Sequence, residues 1–79
     1  MVTVVPLGKL ADLAGAPSLS LAGPLDWAGL KAALPAALAE ALDDPRNRIA
    51  VNGALLADKA ALRADEGDEI ALLPPVSGG

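Results

Sequence analysis

The chain has 79 residues, a formal net charge of −4, 53% hydrophobic residues and 1% aromatic ones. That length makes one small domain, whose core must come from Leu, Val, Ile and Ala around the lone Trp27. His and Cys are both absent, which excludes imidazole or thiolate metal sites, Ser-His-Asp or Cys-His catalysis, and disulfides; the acidic balance argues against nucleic acid, which needs clustered Lys and Arg.

Val2-Thr3-Val4-Val5 is β-branched throughout and predicts a strand. Pro6 lacks an N–H, so the strand should end there or lie at a sheet edge at that point. From Gly8 to Ala14, Leu10 and Leu13 stand at i, i+3, which predicts one or two helical turns stopped by Gly15. Ser18 to Leu21 alternates and predicts a half-buried strand closed by Gly23-Pro24. Asp26 is the expected N-cap of a helix over 27–34. Pro35 would break that helix but suits the first turn of a second one over 35–43. Asp43-Asp44-Pro45 should stop the second helix, with both carboxylates acting as solvated breakers.

Ile49-Ala50-Val51 predicts a short strand, Asn52-Gly53 a tight turn, and Leu55-Leu56 a further extended segment. Leu62 is expected as an isolated core contact. Asp65 to Asp68 reads as a solvated turn rather than a carboxylate dyad or metal site, and Glu69 to Leu73 as the last strand. No metal site is expected. The order β-β-α-β-β predicts an α+β domain. A β-grasp, with a mixed sheet of four to five strands and one helical layer across it, suits this order; ferredoxin-like alternations are similar. Residues 1–73 are expected to form the domain and 74–79 an extended, flexible tail.

That tail, Pro74-Pro75-Val76-Ser77-Gly78-Gly79, is the most informative segment. Glycines without a Cβ can enter a narrow channel. The two prolines fix φ and lower the entropy lost on ordering. From Pro75 to Gly79 the tail reaches about 17 Å at ~3.4 Å per residue. The α-carboxylate of Gly79 is read as the working group. By strand parity Leu73 should face away from the core and lie exposed directly before the tail. An exposed apolar residue there suits a partner interface continued by Pro74, Pro75 and Val76.

Gly67 to Gly79, Ile49 to Gly53 and, more weakly, Leu7 to Gly15 together resemble the small subunit of molybdopterin synthase, a family of ubiquitin-like sulfur carriers. Pro6 departs from that family, whose members more often have an aromatic or aliphatic residue there. The resemblance implies a ubiquitin-like β-grasp fold and a sulfur carrier for molybdenum cofactor biosynthesis. It further implies that the Gly79 carboxylate is adenylated by an ATP-dependent activating enzyme and converted to a thiocarboxylate. The large subunit of molybdopterin synthase is then the partner that holds the pyranopterin substrate and the catalytic residues. Gly78, Ser77, Val76, Pro75, Pro74 and Leu73 are the expected partner-binding residues. On this reading the chain is a sulfur-carrying subunit with no permanently bound cofactor. Alternatives are the thiamine-thiazole sulfur carrier, a protein-conjugation modifier joined through lysine, and a β-grasp binding module with an inert tail. A cytoplasmic location is expected, since no apolar run approaches the ~18 residues of a membrane span and the start lacks a basic segment.

Overall fold

A computed structural model describes residues 1–75 of the chain. The strand β1 (Val2–Pro6) leads into a short helix α1 (Lys9–Ala14), then β2 (Leu19–Leu21) and β3 (Leu25–Asp26). Two consecutive helices follow, α2 (Trp27–Ala33) and α3 (Ala36–Ala41). The chain then forms β4 (Arg48–Val51), β5 (Ala54–Leu55), a 3₁₀ turn (Lys59–Ala61), β6 (Arg63–Ala64) and β7 (Glu69–Leu73). Five strands form a mixed sheet in the order β2-β1-β7-β4-β5, with β1 and β7 parallel at its centre and the other pairs antiparallel. The last strand thus lies beside the first, as the β-grasp expectation requires. A two-stranded ribbon of β3 and β6 stands apart from the main sheet.

The sheet has one buried face. Val2 and Val4 of β1, Ile70 and Leu72 of β7, and Ile49 of β4 are fully buried. Leu10, Leu30 and Leu38, one from each α-helix, join the same cluster. The period-two burial of β1 and β7 therefore aims alternate side chains at one helical layer. Leu13, expected beside Leu10, is instead 41% exposed, because six residues of α1 present only one narrow stripe to the core.

Pro6 ends β1 without loss of a sheet bond. Thr3 and Leu7 donate their N–H groups to Asp68 and Leu72 across β7, so alternate residues point their nitrogens to the β2 side. On that side β2 stops at Leu19, opposite Val4, and Pro6 has no ladder partner to fail. The strand ends where the missing donor is harmless.

Asp26 caps α2 as expected, accepting from the Gly29 N–H at 2.7 Å. Pro35 separates the helices and caps α3. The two aspartates after α3 do more than the sequence led us to expect. Asp43 accepts from Lys31 Nζ at 2.9 Å, and Asp44 accepts from the Arg46 backbone N–H at 2.9 Å and from its guanidinium. Leu62 is not an isolated contact either, since the 3₁₀ turn and β6 bracket it and hold it buried.

Candidate functional site: the tail root and the uncovered sheet face

Because the helices all lie on one side, the other sheet face is left without a helix among the described residues. Register places Val5 beside Ala71, Ala71 beside Ala50, and Ala50 beside Leu55, so one apolar row crosses four strands. Its outer end is exposed, with Leu55 at 54%. Two residues further along β7, Leu73 sits on the same face with Arg48 opposite it on β4. Leu73 thus faces away from the core, as parity predicted. It is half-buried rather than exposed, because neighbours on both sides cover its flanks.

Of the expected partner-binding residues, Leu73, Pro74 and Pro75 fall within the described residues, whereas Val76, Ser77, Gly78 and the proposed acyl carrier Gly79 lie outside them. Pro74 is half-buried and Pro75 exposed. The chain leaves the domain beside the β1–α1 junction. There the Leu7 N–H donates to the Leu72 carbonyl at 3.0 Å, and Gly8, at φ 54° and ψ −133°, turns the chain into α1. A Cβ on Gly8 would stand 3.2 Å from Pro74 Cγ. Leu7 itself is 43% exposed and belongs to the same corner. Sequence reading missed Leu7, Gly8, Val5, Ala50, Leu55 and Ala71 as site residues. The Asn52-Gly53 turn held the signal for one of them, since a two-residue turn pairs Ala50 with Leu55.

The acidic turn stands at the other end of β7, about 13 Å from Leu73 at ~3.3 Å per residue. Two of its carboxylates, those of Asp68 and Glu66, are engaged locally. Asp68 accepts from Asn52 Nδ2 at 3.0 Å and from the Asp65 N–H at 2.8 Å, and these bonds hold its pKa below the ordinary carboxylate range. Glu66 accepts from the Met1 ammonium and the Gly23 N–H. Asn52 completes the tie by accepting the Glu69 N–H at 2.9 Å. No group of three or more carboxylates suited to a metal ion occurs among the described residues. Nor, among them, is any helix long and apolar enough to cross a membrane.

A groove of about 370 Å³ runs past Trp27, Leu42, Pro45, Leu56 and Lys59 and reaches Arg48, the cross-strand neighbour of Leu73. Of its two cations, Lys59 is committed. Lys59 Nζ donates to the carbonyls of Leu42, Asp44 and Asn47 at 2.6, 2.9 and 2.9 Å, closing the C-terminal end of α3. The Trp27 ring lies near two ammonium groups, 4.8 Å from Lys31 and 5.7 Å from Lys59. Lys59 thus braces this side of the domain, and where the chain leaves β7 the described side chains offer an apolar surface.

A family model comprising residues 7–79 matches this chain, and it extends through the diglycine. The chain belongs to the ThiS family. This ThiS-family protein is a ubiquitin-like sulfur carrier, and its mixed five-stranded sheet is the β-grasp of that family. It is similar to the small archaeal modifier protein 1 from Methanosarcina acetivorans, with a TM-score of 0.73, 27% identity, and coverage of 99% of this chain and 95% of that one. It is also similar to a chain in the complex of subunits 1 and 2 of molybdopterin-converting factor from Helicobacter pylori. There the TM-score is 0.68 and the identity 28%, over 99% of this chain and 97% of that one. The BexX/CysO complex from Amycolatopsis orientalis shares the fold, at a TM-score of 0.70 and 21% identity over 100% of both chains. No curated protein matches the ThiS-family chain.

Proposed function

We propose that this ThiS-family protein is the sulfur-carrying subunit of a molybdopterin synthase, with the Gly79 carboxylate as the group that is activated and loaded. The observation that carries the reading is the family match running through Gly79, on a chain whose last strand ends beside an uncovered apolar face. Similarity to a chain of the molybdopterin-converting factor complex supports the pathway. A free carboxylate resists nucleophiles, because oxide is a very poor leaving group. Adenylation by a partner ATP-dependent enzyme converts it to a mixed anhydride. The terminal sulfur of a persulfide then attacks the acyl carbon, and AMP leaves. A donor thiol cleaves the resulting acyl disulfide and frees the thiocarboxylate. A large subunit with the pyranopterin in its own active site receives the loaded tail and supplies the acid and base that this chain lacks.

The tail suits this work by its backbone. Glycine at both terminal positions lets the acyl group pass a narrow channel, and Pro74 and Pro75 limit the entropy lost when the tail is ordered. The row from Val5 to Leu55 and the adjoining Leu73 offer the partner an apolar surface beside the tail root.

The test is affinity co-purification of the intact chain from its own cells, together with the intact mass of the recovered protein. A molybdopterin synthase large subunit and a mass increase equal to one sulfur-for-oxygen exchange are expected. Recovery of a thiazole synthase would keep the carrier and overturn the pathway. Lysine-linked conjugates would favour the second reading, a protein modifier, which the similarity to small archaeal modifier protein 1 supports. A chain lacking Gly79 should fold normally and never gain the sulfur.

A further inference from the structure

We propose that Gly8 is a positioning residue for the tail: its bare Cα is the seat on which Pro74 rests, and that seat sets the direction in which the chain leaves the domain at Pro74-Pro75. Two independent features of Gly8 meet at this point. Its backbone holds φ 54° with ψ −133°, a region that L side chains rarely adopt. Its missing side chain also leaves the space that the Pro74 ring approaches, at 3.2 Å from where a Cβ would be. Gly15, at the other end of the same helix, has φ 72° with nothing within 4 Å of its Cβ position, so it needs glycine for the backbone alone. Gly8 needs it for the backbone and for the tail.

The seat is well anchored. Leu7, one residue earlier, donates to the Leu72 carbonyl at 3.0 Å, and the Leu10 and Ala11 N–H groups bond back to Leu7 and Gly8 at 3.0 Å each. Gly8 is therefore fixed to β7 on one side and to α1 on the other. Pro74, with its own φ locked by the ring, meets a rigid support rather than a mobile loop. A carrier whose acyl group must arrive at a partner's reacting centre gains from a fixed starting direction, because a misplacement of about 1 Å can cost about a hundredfold in rate. Docking through the apolar sheet face and aiming of the tail are then separate tasks, carried by separate residues.

This inference rests on the carrier reading, and the experiment separates the two. The full chain and its variants are assayed by ATP–pyrophosphate exchange with the ATP-dependent adenylating enzyme of the same cells, with thermal unfolding followed in parallel. Gly8→Ala should lower kcat about tenfold while KM stays within about twofold, because docking is intact and aiming is not. Gly15→Ala adds a Cβ to a left-handed backbone, a milder strain than at Gly8, and should lower thermal stability with kcat unchanged. Pro74→Gly should reproduce the kcat loss, and in that background Gly8→Ala should cost nothing more, since the ring it would displace is gone. Should Gly8→Ala not fold, Pro74→Gly is compared with Pro75→Gly: both free the tail to a similar extent, only the first removes the ring that faces Gly8, and equal kcat losses would overturn the seat. A Gly8→Ala chain that is folded and has parental kcat would overturn the seat, as would losses that multiply in the double variant. Activity that persists after deletion of Gly79 would instead overturn the carrier reading.

Discussion

Lys59 shows what contacts reveal about a side chain that composition leaves unmarked. It is one of 6 basic residues on an acidic chain and lies in a stretch without strong pattern. In the structure its ammonium closes three carbonyls after α3 and lies near the only aromatic ring. Replacing it with methionine keeps the stem and removes the donors. We expect Lys59→Met to lower stability by about 2 kcal/mol, the range of hydrogen bonds to a charged group, measured by urea denaturation. Asp44, the neighbour of that site, is held at a pKa of about 2 against an ordinary 3.8, chiefly by the Arg46 guanidinium and then by the Arg46 backbone N–H. A lowered folded-state pKa means that the unfolded chain binds the proton more readily. Its contribution is therefore complete above pH 3.8 and is lost as pH falls towards about 2. Asp68 acts in the same direction. Urea midpoints taken across the acid range should fall in that window, and Asp44→Asn should flatten the fall. The group is at the surface and screened, so high salt should flatten it as well.

At the scale of elements, the hairpin of β4 and β5 hangs on two residues. Asn52 and Gly53 both take positive φ, 50° and 83°, which is the two-residue turn that matches strand twist. A Cβ at position 53 meets no atom within 4 Å, so the penalty for adding one is conformational and not steric against neighbours. Gly53→Ala should cost about 1 kcal/mol, read from the thermal midpoint. The Asn52 side chain also bonds to Asp68 and receives the Glu69 N–H, so the two turns at this end of the sheet support each other. These bonds show that Asp68, within a run of carboxylates that looks chemically suggestive in sequence, shapes the entry to β7. The helices were legible because Leu30, Leu34, Leu38 and Leu42 keep helical spacing and Asp26 and Pro35 mark the starts. The ribbon of β3 and β6 was not, because two-residue strands have no period to detect and their pairing is long-range.

For the whole molecule, the decisive arrangement is that one sheet face is spent on the core and the other, among the described residues, is free of helices beside the tail root. Leu73 lies at that junction, half-buried on the free face. Leu73→Asp should leave the helical core intact, because Ile70 and Leu72 face the other way. It should weaken partner binding about tenfold or more, which titration against the co-purified partner would measure. Unchanged affinity at unchanged stability would remove Leu73 from the interface. By itself the sequence determined the strands and helices with clear periodicity, the exclusion of imidazole and thiolate chemistry from an inventory without His or Cys, and the diglycine at positions 78 and 79. These are local or compositional properties, carried by residue type and by spacing of two or of about four. Only the tertiary structure decided that Gly8 lies under Pro74, that Val5, Ala71, Ala50 and Leu55 form one row, and that Lys59 braces α3. Each joins residues far apart in the chain, and such contacts depend on strand order and register, which no local pattern encodes.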